Sequence, residues 1–155
     1  MITTRISLEK LTSWSIIIEA FKAALTELSH EGSGWHGTKS DEIEFLGSNL
    51  VPKIISVGVT ARFDEPKTRP KFFLFGPPVQ DGAQWSLYFK LKPAPENEKV
   101  KEVQVEIALQ YLIRGVFYDR SSPEHLEYYG AKPVAEKFLQ KFELIVNEFV
   151  REDHA

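Results

Sequence analysis

The chain contains no cysteine. A disulfide scaffold, a thiolate zinc site, an iron–sulfur cluster and a cysteine nucleophile are therefore excluded, and a reducing compartment fits. Long hydrophobic runs are also missing. Near the start nothing is longer than Ile16–Ile18, and no stretch approaches the roughly 20 apolar residues that span a bilayer. Met1–Leu11 has no apolar run behind a basic segment and does not read as a signal peptide. An excess of positive charge is lacking too: 19 Lys and Arg face 22 Asp and Glu, for a net charge of −3. A general nucleic-acid binder needs a basic footprint, so nucleic acid is disfavoured as a partner. Internal repeats and low-complexity segments are absent. These absences lead to the expectation of a soluble cytoplasmic protein with no membrane partner.

What is present is enough for one core. Of 155 residues, 43% are apolar. A domain of that size buries roughly 68–70% of its unfolded surface and needs no metal or disulfide to hold it. A single domain over 1–155 is expected.

The clearest pattern is a pair of alternating segments. Trp85, Leu87, Phe89 and Leu91 take the odd positions of one, and Val103, Val105, Ile107 and Leu109 those of the other. Period-two alternation marks strands with one buried and one wet face. Both apolar sets are odd, so paired positions must sum to an even number. A sum of 194 places Lys92 opposite Glu102, Lys90 opposite Gln104 and Phe89 opposite Val105, with Lys90 diagonal to Glu106. Further strands are expected at 42–46, 53–63 and 71–75, and at Ile2–Leu8, where Leu8 and Leu11 could instead extend the first helix backwards from a Ser7 cap. Gly58 suggests a bulge or a close backbone approach. Past Tyr111 the alternation breaks at Leu112 and Ile113, and a bend near Gly115 should carry the sheet on through Val116–Tyr118.

Ser13–Leu28 carries apolar residues at Trp14, Ile18, Phe21, Leu25 and Leu28, the spacing of an amphipathic helix with Ser13 or Thr12 as cap. Ser122, Pro123 and Gly130 bracket a short helix as N-cap, first residue and left-handed C′ residue. Pro133 then opens a long helix to about Arg151, with a stripe of Val134, Phe138, Phe142, Ile145 and Phe149. The fold class is α+β: a two-layer arrangement of a mostly antiparallel sheet of about five strands, packed against N- and C-terminal amphipathic helices. The even face of the sheet, with Ser56, Thr60, Arg62, Ser86, Tyr88, Lys90, Gln104, Glu106 and Gln110, should be wet or meet a partner.

Several strings look chemical. Gly32–Gly37 matches G-x-G-x-x-G but leaves a helix, whereas dinucleotide binding needs it to leave a strand and open a helix. It reads as a flexible connector. His30 and His36, with Glu31 and Asp41, include no histidine pair at helical i, i+4 spacing, and no metal is expected. Lys67, Arg69 and Lys71 beside Phe72 and Phe73 could stack and pair with a single strand, but overall acidity favours a solvated loop. Asp119, Arg120, Ser121, Ser122, Glu124 and His125 hold the residue types of acid–base or serine chemistry. Helix capping by Ser122 and Glu124 explains most of that cluster.

Two functions from different classes survive. The first is a non-catalytic protein-binding module, of the adaptor, inhibitor or immunity type, with another protein or a second copy as partner. Its contact surface would include Trp35, Tyr88, Lys90, Tyr128 and Tyr129, because aromatics outside the core favour interfaces. The alternative is a small-ligand binder or enzyme with a pocket between the sheet and the last helix, lined by Arg62, Tyr111, Arg120 and His125. No cofactor is expected in either.

Overall fold

The computed structural model describes residues 2–35, 42–47, 55–62, 84–92, 99–113 and 116–154. The elements run β1 (Ile2–Ser13), α1 (Trp14–Glu31), β2 (Glu42–Gly47), β3 (Ile55–Arg62), β4 (Gln84–Leu91), β5 (Lys99–Ile113), β6 (Val116–Asp119), α2 (Pro123–Tyr128) and α3 (Ala131–Asp153). Six antiparallel strands form one sheet in the order β1-β5-β4-β3-β2, with β6 also on β5. The architecture is α+β, as the alternation and the helical stripes require. The strand expected at 71–75 lies outside the described residues, as do His36, Asp41, Lys67, Arg69, Lys71, Phe72 and Phe73.

The odd face of β4 and β5 is the core face. Trp85, Leu87, Phe89, Leu91, Val105 and Leu109 are fully buried, with Val103 and Ile107 nearly so. The register within that face differs from the expected one. Phe89 pairs with Ile107, Lys90 with Glu106 and Leu91 with Val105, so paired positions sum to 196. A two-residue slip leaves every side chain on its own face, and the apolar alternation cannot distinguish the two registers. Charge and length decide between them. The observed register sets Lys90 directly opposite Glu106, brings Lys92 Nζ within 3.5 Å of Glu106 Oε1, and gives all of β4 a partner over 105–112.

Two strand ends also depart from expectation. β1 runs to Ser13 rather than stopping at Leu8, with an irregularity between Ser7 and Thr12. That bulge turns Leu11 out to solvent and Thr12 into the core, where its hydroxyl donates to the Lys10 carbonyl. β6 does not carry the sheet onward through a bend. It folds back on β5, pairing Val116 with Ile113 and Asp119 with Gln110. Alternation breaks at Leu112 and Ile113 whether the chain bends or folds back, so the pattern alone does not separate the two.

β1 lies at the end of the sheet, where unpaired amides invite aggregation. Here α3 covers part of it: Asn147 Oδ1 accepts the Glu9 N–H at 3.0 Å, and Arg151 forks onto the Glu9 carboxylate.

α1 and α3 cover the odd face. Val134, Phe138, Phe142, Ile145, Val146 and Val150 form the buried stripe of α3, against Ile17, Phe21 and Leu28 of α1. Phe21 meets Phe138 and Phe142 edge-on at 5.3 and 5.2 Å, and Phe138 stacks on Phe89 at 4.4 Å. The helices are antiparallel. The start of α1 (Ser15, Ile16) flanks the end of α3 (Phe149, Glu152), while Lys141 bridges Glu27 and Glu31 at the other end. Ser13 takes the N-cap position of α1 without a side-chain cap bond; its hydroxyl pairs with that of Ser15. α3 starts at Ala131, two residues before Pro133, because left-handed Gly130 (φ 70°) ends α2 and caps α3 at once.

Candidate functional site

From Gly32 to Trp35 the glycine string after α1 forms a hydrogen-bonded turn. Gly32 and Gly34 sit at φ 78° and 69°, values open to glycine at little cost. They return the chain to the core. Trp35 is fully buried, its amide donates to Ser33 Oγ at 3.1 Å, and its indole N–H donates to the Tyr129 carbonyl at 2.9 Å. Tyr129 is 1% exposed and packs on Trp85 with ring centroids 4.0 Å apart. Trp35 and Tyr129 were expected at a contact surface. Burial removes both from it: they pin the end of α1, the start of β4 and the end of α2 together.

Around this corner lies the polar cluster. Asp119 Oδ1 accepts from the Ser121 amide at 2.9 Å and from its hydroxyl at 2.6 Å. Ser121 Oγ in turn accepts the buried Leu109 N–H at 3.0 Å, and the Arg120 amide donates to the Leu109 carbonyl at 2.7 Å. The segment thus continues the β5 ladder with a hydroxyl where β1 and β6 leave a gap. Ser122 caps α2, accepting from the His125 amide at 3.2 Å, and its Oγ lies 2.7 Å from His125 Nδ1. Burial, and then the positive charge of Arg120, hold the His125 imidazole below the ordinary histidine pKa. The ingredients of a serine–histidine–carboxylate relay are present but split between two pairs, Asp119 with Ser121 and Ser122 with His125. Ser121→Ala should leave the buried Leu109 amide without its acceptor and cost about 1–3 kcal/mol in chemical denaturation. A loss below about 0.5 kcal/mol would mean that the hydroxyl is not part of the ladder.

Of the four residues expected to line a pocket, Arg62 and Tyr111 are placed by strand register alone, their side chains lying outside what the structure describes. Arg62 is opposite Gln84, an even position, whereas Tyr111 is opposite Trp85, an odd one. Arg120 and His125 sit together beyond the end of β6. Between the sheet and α3, Phe89 stacks on Phe138 at 4.4 Å.

The even face is a different surface. Ser86 on it is buried, and Tyr88, Lys90, Gln104, Glu106 and Gln110 are half-buried, so it is less wet than alternation alone implies. Tyr88 pairs with Gly58 on one side and with Ala108 on the other. Neither neighbour has a side chain longer than a methyl group. The adjoining rows pair Ser56 with Lys90 and Lys90 with Glu106, and Thr60 with Ser86 and Ser86 with Gln110. Among its described strand neighbours, Tyr88 is thus one aromatic residue beside Gly58 and Ala108, with Ser86, Lys90, Gln110 and Glu106 on the same face and Glu106 paired to Lys92 at 3.5 Å. The isolation of Tyr88 depends on the register, and the parity of the sequence alone missed it. Tyr128 is exposed, set edge-on against Tyr129 at 5.1 Å. Through Tyr129 and Trp85 it belongs to the odd side, so Tyr88, Lys90 and Tyr128 do not make one patch.

Among the described residues, no group of three or more His, Asp and Glu could hold a metal ion, and no helix is long and apolar enough to cross a membrane. No family model, curated protein or solved structure matches the chain.

Proposed function

We propose that this chain is a non-catalytic protein-recognition module of the adaptor, inhibitor or immunity type, working in the cytoplasm, and that the even face of its sheet is the contact surface. The observation that carries the reading is the setting of Tyr88, half-buried between Gly58 and Ala108, with Lys90 and Glu106 in the next row of the same face and Glu106 paired to Lys92. Binding energy concentrates in aromatic anchors that stand centrally within a polar rim. Tyrosine suits the role because its ring buries apolar area and its hydroxyl can still bond. The filled space between the sheet and α3 speaks for recognition on a surface over a ligand held inside.

Affinity capture from the native host followed by mass spectrometry tests this. A stoichiometric partner should be retained by the wild type and by Tyr128→Ala and lost with Tyr88→Ala, while thermal unfolding of all three stays within a few degrees. A second copy of the chain as partner would give a dimer mass in light scattering, again lost with Tyr88→Ala. A monomer without a partner that a metabolite stabilises against heat would sink the proposal and favour the ligand-binding alternative.

A further inference from the structure

From the outer flank of α3 we infer a second recognition surface, a groove that takes a cationic segment of a partner protein carrying one large apolar side chain. This rests on the protein-recognition reading and adds a partner chemistry to it.

The groove runs between α3 and Glu9 of β1 and encloses about 420 Å³. Leu144 lines it and is 66% exposed, the most exposed large apolar residue described. It lies outside the buried stripe of Val134, Phe138, Phe142 and Ile145, so packing of the core does not explain it. The walls are preorganised. Asn147 holds the Glu9 amide and donates to the Glu143 carbonyl at 3.1 Å, and Arg151 is taken up by the Glu9 carboxylate. Glu143 and Glu148 also line the groove; Glu148 feels the Arg151 charge without a direct salt bridge, and Glu143 has no salt bridge among the described residues. Three carboxylates therefore line the groove together with Leu144, against one guanidinium that the Glu9 carboxylate holds.

That balance selects the occupant. A second copy using the same groove would set acidic rims against each other, which like-charge repulsion opposes. Extension of the sheet is blocked at Glu9, because Asn147 already accepts that edge amide. What remains is side-chain recognition: an apolar group over Leu144, flanked by Lys or Arg facing Glu143 and Glu148.

Random dodecamers displayed on phage, selected on the full chain and remeasured as synthetic peptides by fluorescence anisotropy, provide the test. The enriched peptides should carry Lys or Arg around a Leu, Ile or Phe. Their Kd should rise at least tenfold with Leu144→Asp and about threefold with Glu143→Gln plus Glu148→Gln, and should rise with added salt. All these positions are exposed, so folding should survive, which circular dichroism would check. Enrichment of acidic or uncharged peptides, no enrichment, or indifference to Leu144→Asp would overturn the groove. Peptides lost with Tyr88→Ala but not with Leu144→Asp would overturn the groove while leaving the sheet-face reading intact. Failure of the capture experiment, with peptide binding still dependent on Leu144, would separate the two in the other direction.

Discussion

Phe138→Ala is expected to destabilise the fold by about 3–5 kcal/mol, the usual range for truncating a fully buried aromatic residue. For a chain of this size that corresponds to a fall in Tm of about 6–20 °C. The reason is its position. Phe138 is fully buried, stacks on Phe89 of the sheet at 4.4 Å and meets Phe21 of α1 at 5.3 Å. It is the side chain through which all three parts of the two-layer core touch. Each aromatic pair adds about 0.5–1.5 kcal/mol beyond area burial, and truncation removes two of them while opening a cavity. Gln140→Ala, two residues along on the exposed side, should change stability by no more than about 0.5 kcal/mol. Differential scanning calorimetry of the two variants decides. Equal effects would mean that α3 does not sit on the sheet as described.

Trp35 separates packing from hydrogen bonding. Trp35→Phe keeps most of the ring but removes the indole donor to the Tyr129 carbonyl, 94 residues away in sequence. An acceptor left buried without a donor costs about 1–3 kcal/mol. Trp35→Ala should cost about 3–5 kcal/mol, because it also empties a fully buried site. Urea titrations followed by far-UV circular dichroism would read both. A chain indifferent to Trp35→Ala would show that the turn at Gly32–Trp35 is not anchored in the core.

The two tryptophans of this corner illustrate what a sequence can disclose. Trp85 was legible as a core residue because it belongs to a period-two run, where neighbours at i+2 and i+4 report its face. Trp35 follows two glycines and a serine, so no local periodicity reports on it. Its burial comes from chain reversal at two left-handed glycines and from contacts distant in sequence. Tyr129 was misplaced for the same reason: α2 is one and a half turns long and shows no stripe. The caps of α2 were legible, since Ser122, Pro123 and Gly130 act within three or four residues. The hairpin faces were legible too, but its register was not, because a two-residue slip preserves both faces. That slip matters for the candidate site. Lys90 stands opposite Glu106, and Tyr88 pairs with Ala108 and Gly58, only in the observed register. Leu144 is legible in the sequence as a large apolar residue on the polar side of an otherwise regular helix.

The surface electrostatics are modest by comparison. Lys141 joins Glu27 and Glu31 across α1 and α3, and Lys137 also reaches Glu31 and donates to the Gly32 carbonyl. The hydrogen bond from Lys141 holds the Glu31 carboxyl below its ordinary pKa. These solvent-exposed pairs orient the helix ends rather than hold the fold together.

The most direct test is the dissociation constant of the captured complex, measured for the wild type and for Tyr88→Ala by titration calorimetry. An anchor of this kind is worth about 2 kcal/mol or more, so affinity should fall at least about 30-fold while the variant remains folded. A Kd unchanged within twofold would contradict the assignment of the even sheet face as the contact surface.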